Sequence, residues 1–140
     1  MFAALDTNHF REFVLGGMLG AKLRRRLEAE RPDVFVPIVV AEEALHGWVT
    51  FIRRSRSGPA QIDGYARLQG CIASLHKFDI LAFDRDAADR FVALDRQRLR
   101  VGSMDLKIAA ICIAHDATLL SRLLVDFEKV PGLRVENWLD

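Results

Sequence analysis

Cysteine is scarce in this sequence: Cys71 and Cys112 are the only two. Both lie in apolar, helix-forming context, so they read as reduced core thiols and not as a disulfide or a metal pair. No Cys/His cluster has zinc spacing, which removes a structural zinc site. No apolar run approaches the ~20 residues a bilayer crossing needs. Repeats, low-complexity tracts and linkers are missing too, so residues 1–140 read as a single domain. The opening Met-Phe-Ala-Ala-Leu-Asp has neither a basic segment nor a long apolar stretch. No secretory signal is expected, and the cytoplasm is the expected compartment. An excess of one charge is also lacking. Twenty Lys and Arg against 19 Asp and Glu leave +1, so bulk charge announces no polyanion partner.

What is present is material for a core, with 51% hydrophobic residues, and a soluble surface, with 28% charged. Basic residues cluster in Lys22–Arg26, in Arg53–Arg56, and at Arg96, Arg98 and Arg100. Such clusters suit phosphates, but cluster by cluster they read more simply as solvated helix faces and ends.

Short apolar runs alternate with helical patterns. Strands are expected at 2–5, 34–36, 78–83, 117–121 and 133–138, the last at an edge. Helices are expected at 8–30 with an interruption near Gly16-Gly17, at 38–54 behind Pro37, at 62–76, at 85–99 capped by Asp84, and at 104–114 capped by Ser103. Arg56-Ser57-Gly58-Pro59 reads as a loop. This alternation predicts an α/β fold with a mostly parallel central sheet, in which ligands bind beyond the carboxyl ends of the strands.

Several acids fall at that edge. Asp6 ends the first strand, Asp126 follows the fourth, and Asp105 opens a helix. Ile108, Ala109 and Cys112 follow Asp105 at +3, +4 and +7 on one apolar face, so its carboxylate heads a buried stripe and needs compensation. The helix N-terminus supplies part of it, and a divalent cation would supply more. Glu43 is preferred to Glu42 because Gly47 lies one turn along on its face. A mid-helix glycine costs ~1 kcal/mol relative to alanine, so it is expected to admit a backbone or a substrate. Carboxylates collected without basic partners repel one another, and hard oxygen donors suit Mg²⁺ or Mn²⁺. Taken singly, Asp6 and Asp105 are as readily caps or first-turn acids, and Asp126 a turn acid. The residues by themselves leave the gathering open.

Four segments together resemble the PIN domain, and in particular the VapC-type toxins of bacterial toxin–antitoxin pairs. They are Leu5-Asp6-Thr7-Asn8; Glu43-Ala44-Leu45-His46-Gly47; Gly102-Ser103-Met104-Asp105; and Ser121 with Asp126-Phe127. Order and spacing match over essentially the whole chain. The resemblance implies a three-layer α/β/α sandwich and a Mg²⁺-dependent endoribonuclease, with Mn²⁺ able to substitute. It makes Asp6, Glu43 and Asp105 direct ligands and Asp126 a direct or water-mediated one. Thr7, Asn8 and Ser121 become supporting hydroxyl and amide groups around them. It further implies an RNA substrate, a homodimer, no membrane, and an antitoxin whose C-terminal segment covers the acids. One position departs: Leu123 stands where the family usually has Asn. That leaves two alternatives, a weakened or inactive module that binds RNA or protein, or an Asn that serves only a local turn.

Asp84 and Asp86 also follow a strand, yet they explain themselves as an N-cap and a first-turn acid. The four histidines, His9, His46, His76 and His115, do not pair in sequence and are assigned to core or surface. Trp48 and Trp138 are assigned to packing.

Overall fold

The structure, a computed structural model, describes residues 1–140. Its strands are β1 (Phe2–Leu5), β2 (Asp33–Pro37), β3 (Asp79–Leu81), β4 (Thr118–Leu120) and β5 (Val135–Glu136). They form one sheet in the order β3-β2-β1-β4-β5, with every neighbouring pair parallel. Helices α1 (Thr7–Leu15), α2 (Met18–Glu30), α3 (Ile38–Arg54), α4 (Gly58–Leu75), α5 (Arg85–Arg96), α6 (Ser103–Ala114) and α7 (Leu124–Phe127) make the connections. Parallel crossovers are right-handed. The chain steps one way from β1 to β3 and then back to β4, so α1–α4 cover one face and α5–α7 the other. The result is the expected α/β/α sandwich. Strand order reverses between β1 and β4, which opens a crevice beyond their carboxyl ends.

The core runs through both faces of the sheet. Ala3, Ala4 and Leu5 of β1 and Leu119 and Leu120 of β4 are fully buried, as central parallel strands require. Helix α6 is apolar nearly all round and buries Leu106, Ile108, Ala109, Ala110, Ile111 and Cys112. Both cysteines are free and buried, matching the reading as core thiols. No helix is long and apolar enough to cross a membrane.

The expected interruption of the 8–30 helix at Gly16-Gly17 is present: Gly16 adopts φ +70 and closes α1. Gly20 then lets α2 fold back tightly, since a Cβ there would meet the Glu12 carbonyl. Other boundaries differ from expectation where local signals were weak. Helix α4 starts earlier than predicted. Ser57 caps it by accepting from the Ala60 N–H at 3.1 Å, and Pro59 occupies its first turn, where no N–H is needed. The Ser57-Gly58-Pro59 stretch is thus a helix start and not a loop. Helix α5 stops at Arg96, and α6 is preceded by Gly102 without a side-chain cap, so Ser103 is inside the helix. The edge strands β3 and β5 are shorter than their apolar runs, having a neighbour on one side only. The short α7 was not foreseen.

Candidate active site

Asp6 stands at the reversal point. Its backbone N–H donates to the Leu120 carbonyl at 3.0 Å, extending the β1–β4 pairing by one step. Its side chain is turned inward and is 4% exposed. The Thr7 N–H donates to Oδ1 at 2.8 Å, and the Ser121 hydroxyl donates to Oδ2 at 2.7 Å. Ser121 is itself held by the Leu123 N–H, which donates to Oγ at 3.0 Å. Both oxygens of a buried carboxylate are therefore oriented by groups from two adjacent strand ends. Burial raises the Asp6 pKa, and the two hydrogen bonds oppose that rise.

Glu43 joins it from α3. The Thr7 hydroxyl donates to Glu43 Oε2 at 3.0 Å, so one residue ties the first two acids together. Glu42 is exposed and points elsewhere. Burial raises the Glu43 pKa, and the Asp6 and Glu42 charges add to the rise against the Thr7 bond. Gly47 has nothing within 4 Å of the place its Cβ would occupy. No protein backbone approaches there; the glycine opens on a cleft.

Asp105, in the first turn of α6, is half-buried. Its carboxyl is pushed up to about 6, first by burial and then by the charges of Asp6, Glu43 and Asp126. No cation offsets these charges in its surroundings. Asp126 lies in the first turn of α7, half-buried, with Lys129 Nζ 3.4 Å from Oδ1. The three other acids thus all act on Asp105. They share a field, but no three of them come close enough to grip a single ion among themselves. Asn8 is half-buried beside Thr7, yet the bonds to the acids come from Thr7 and Ser121. Leu123 precedes α7 with φ −86 and ψ 53 and offers no side-chain cap, so this position is a turn position at the helix entrance.

Other assignments sort as read. Asp84 caps α5 by accepting from the Ala87 N–H at 2.9 Å, and Asp86 pairs with Arg90 at 2.9 Å, away from the acids. Trp138 is buried in the core. His9 is buried as well, and its Nε2 accepts the Trp138 N–H at 3.1 Å.

A cleft of about 790 Å³ starts at Thr7 and Glu43 and runs between α1, α3 and α4. Its cations are Arg11, Arg54 and Arg67, and its aromatic wall includes Trp48 and Phe51. Sequence reasoning missed this groove; its assignment of Trp48 to packing holds, since the ring packs against the core, but the residue also lines the cleft. The signal was present: Glu43, Gly47, Phe51 and Arg54 recur at helical spacing along one face of α3.

An all-oxygen set of four acids around one crevice has the donor chemistry of a hard divalent cation such as Mg²⁺. The expected gathering of all four into one shell of direct ligands is not what the structure shows, since no three of them form a group that could hold an ion.

Comparison with solved structures finds the same fold. A VapBC2 complex from Rickettsia felis, bound to a promoter DNA fragment, aligns with TM-score 0.74 at 22% identity, covering 99% of both chains. VapBC-1 from nontypeable Haemophilus influenzae aligns with TM-score 0.77 at 16% identity over 100% of both chains. A toxin–antitoxin complex from Klebsiella pneumoniae gives TM-score 0.68 at 26% identity over 97% of each. In sequence, the Rickettsia felis protein named ribonuclease VapC2 is 40% identical over 45 residues, a stretch spanning 32% of this chain and 34% of that protein. The family model for the PIN domain matches residues 3–132, a span that holds the reversal point of the sheet and all four acids, and the chain belongs to that family.

Proposed function

We propose that this protein is a Mg²⁺-dependent endoribonuclease and the toxin of a type II toxin–antitoxin pair, with Asp6, Glu43, Asp105 and Asp126 as its metal-binding acids. The observation that carries the reading is the Ser121–Asp6–Thr7–Glu43 hydrogen-bond chain at the β1–β4 crevice, in which two carboxylates are oriented and no basic side chain neutralises them. The raised Asp105 carboxyl supports it, because a cluster that resists ionisation by itself is one that a cation relieves.

In this reading Asp6 and Glu43 hold the ion, held in turn by Thr7 and Ser121. Asp105 and Asp126 add their charge to the same field and would act on the ion through its bound water. A Mg²⁺ held by these acids would supply charge stabilisation and a more acidic water for phosphodiester cleavage. The chain's own residues, Thr7 and Ser121, fix the Asp6 and Glu43 carboxylates. Mn²⁺ has the same ligand preferences and is expected to substitute.

The partners follow from the relatives. Three of the similar solved structures are complexes of a toxin with its antitoxin. An antitoxin is accordingly proposed for this chain, together with pairing of two copies and a cytoplasmic place of action.

The deciding experiment is cleavage of a labelled single-stranded RNA by purified protein. Cleavage with Mg²⁺ or Mn²⁺, none with EDTA, and none by Asp6→Asn are expected. Asparagine caps a helix as well as aspartate does, so that variant should keep the parent circular dichroism and melting curve. Full activity of Asp6→Asn, or cleavage in EDTA, would overturn the mechanism.

A further inference from the structure

The cleft beside the acids carries more than its volume. Thr7 and Glu43, bonded to each other at 3.0 Å, form one end of it, so whatever fills the cleft continues directly into the acidic crevice. Beyond that end the lining changes sign. Glu43 is its only acid, and Arg11, Arg54 and Arg67 follow. Arg67 is engaged with Asp63 at 3.0 Å, whereas Arg11 reaches an acid only at 3.9 Å and Arg54 has no ion pair. Arg54 is therefore free for an anionic occupant, and Arg11, held by one exposed contact at 3.9 Å, is readily recruited.

The walls between them are apolar, with aliphatic Val14 and Leu15 beside aromatic rings. Trp48 and Phe51 meet edge to face, with centroids 5.7 Å apart, and Phe51 is 42% exposed. The Arg67 guanidinium lies 5.4 Å from the Trp48 ring. Gly47 and Gly70 both line the cleft with open space where a Cβ would stand, so a flat group enters without displacing side chains.

We propose that this cleft is the track of one unpaired RNA strand, with a base seated against Trp48 and Phe51 and the adjoining phosphates held by Arg11 and Arg54. The proposal rests on the nuclease reading and adds the residues that position the substrate. Cations together with exposed aromatic faces in one groove are the means by which single strands are bound. A strand cut at the acids has to leave them through a neighbouring groove, and this cleft begins there. An apolar peptide would satisfy the rings but bring no counter-charge to Arg54 and none beyond Glu12 to Arg11. A phosphate chain satisfies both.

The test uses a single-stranded oligoribonucleotide of about 12 nucleotides, a length within the usual single-strand site sizes. Binding is read in EDTA, and cleavage in Mg²⁺ or Mn²⁺. Trp48→Ala should raise Kd and KM between about fivefold and a hundredfold, the range of one lost base stack, with kcat nearly unchanged. Trp48→Phe should restore most of the loss. Arg54→Ala, an exposed change that leaves folding intact, should weaken binding and lower the slope of log K against log salt by about 0.7. Cleavage by Trp48→Ala and Arg54→Ala with parent KM would overturn the proposal and leave the nuclease reading standing. Parent protein that neither binds nor cleaves the RNA would overturn both. Loss of a co-expressed protein partner in these variants, with RNA affinity intact, would make the cleft a peptide seat and also overturn the proposal.

Discussion

The Ser121 hydroxyl is the one side-chain donor to Asp6, and it reaches that carboxylate from a different strand. Ser121→Ala should keep the fold but lower cation affinity and cleavage by roughly 10- to 100-fold, as loss of a group orienting a ligand does; metal titration and initial rates check it. Asp105 offers a second handle. Its carboxyl binds a proton more tightly folded than unfolded, with the pKa raised from 3.8 to about 6. The folded state then holds more protons across that window, so metal-free stability falls as pH rises through it. Metal-free Asp105→Asn should melt above the parent at pH 7 and level with it near pH 4. Added Mg²⁺ should raise the melting temperature of the parent more than that of the variant. At this scale the sequence was informative. Gly47 distinguished Glu43 from Glu42, and the apolar stripe behind Asp105 signalled a carboxylate short of solvent. The link from Thr7 to Glu43 was not legible, because nothing local says which helix a hydroxyl will face.

Helix α7 owes little to its own residues. It has four residues, and at its entrance Leu123 supplies no cap. Leu123→Asn should provide one and stabilise the protein by about 0.5–1 kcal/mol, measured by urea denaturation. Absence of any gain would mean that the backbone at this turn cannot bring the amide to the free N–H groups. The α1–α2 hairpin is the opposite case. There a methyl group at Gly20 would strike the Glu12 carbonyl, so Gly20→Ala should destabilise by about 1–3 kcal/mol. Longer elements were legible because several turns of apolar periodicity accumulate. Helix α7 was not, since one turn carries no period. The start of α4 was missed because Ser-Gly-Pro also composes a loop, and only the Ser57 bond to Ala60 distinguishes the two.

Strand alternation foretold a parallel sheet, but the order β3-β2-β1-β4-β5 is decided by long-range pairing. The crevice and its cleft inherit that illegibility. Helix α1 and the consecutive helices α3 and α4, distant from it in sequence, line the cleft, and only the α3 face announced itself. The same holds for the tie between His9 and Trp138, 129 residues apart. Burial holds His9 neutral and lowers its pKa from 6.5 to about 4. The unfolded chain binds that proton first, so stability is lost as pH falls through this window. His9 should therefore make the Asp105→Asn background acid-sensitive, and His9→Phe in that background should flatten the dependence at an overall cost of about 1–3 kcal/mol for the stranded Trp138 N–H. Urea midpoints at pH 7 and pH 5 would decide.

Asp6 and Ser121 are separated by 115 positions, and β1 lies between β2 and β4. A chain still emerging from the ribosome has made its first acid long before the strand that orients it. Until β4 slots in beside β1, that carboxylate lacks its Ser121 bond and the crevice does not exist. On the proposed nuclease function, a half-made copy would be harmless to the RNA that encodes it.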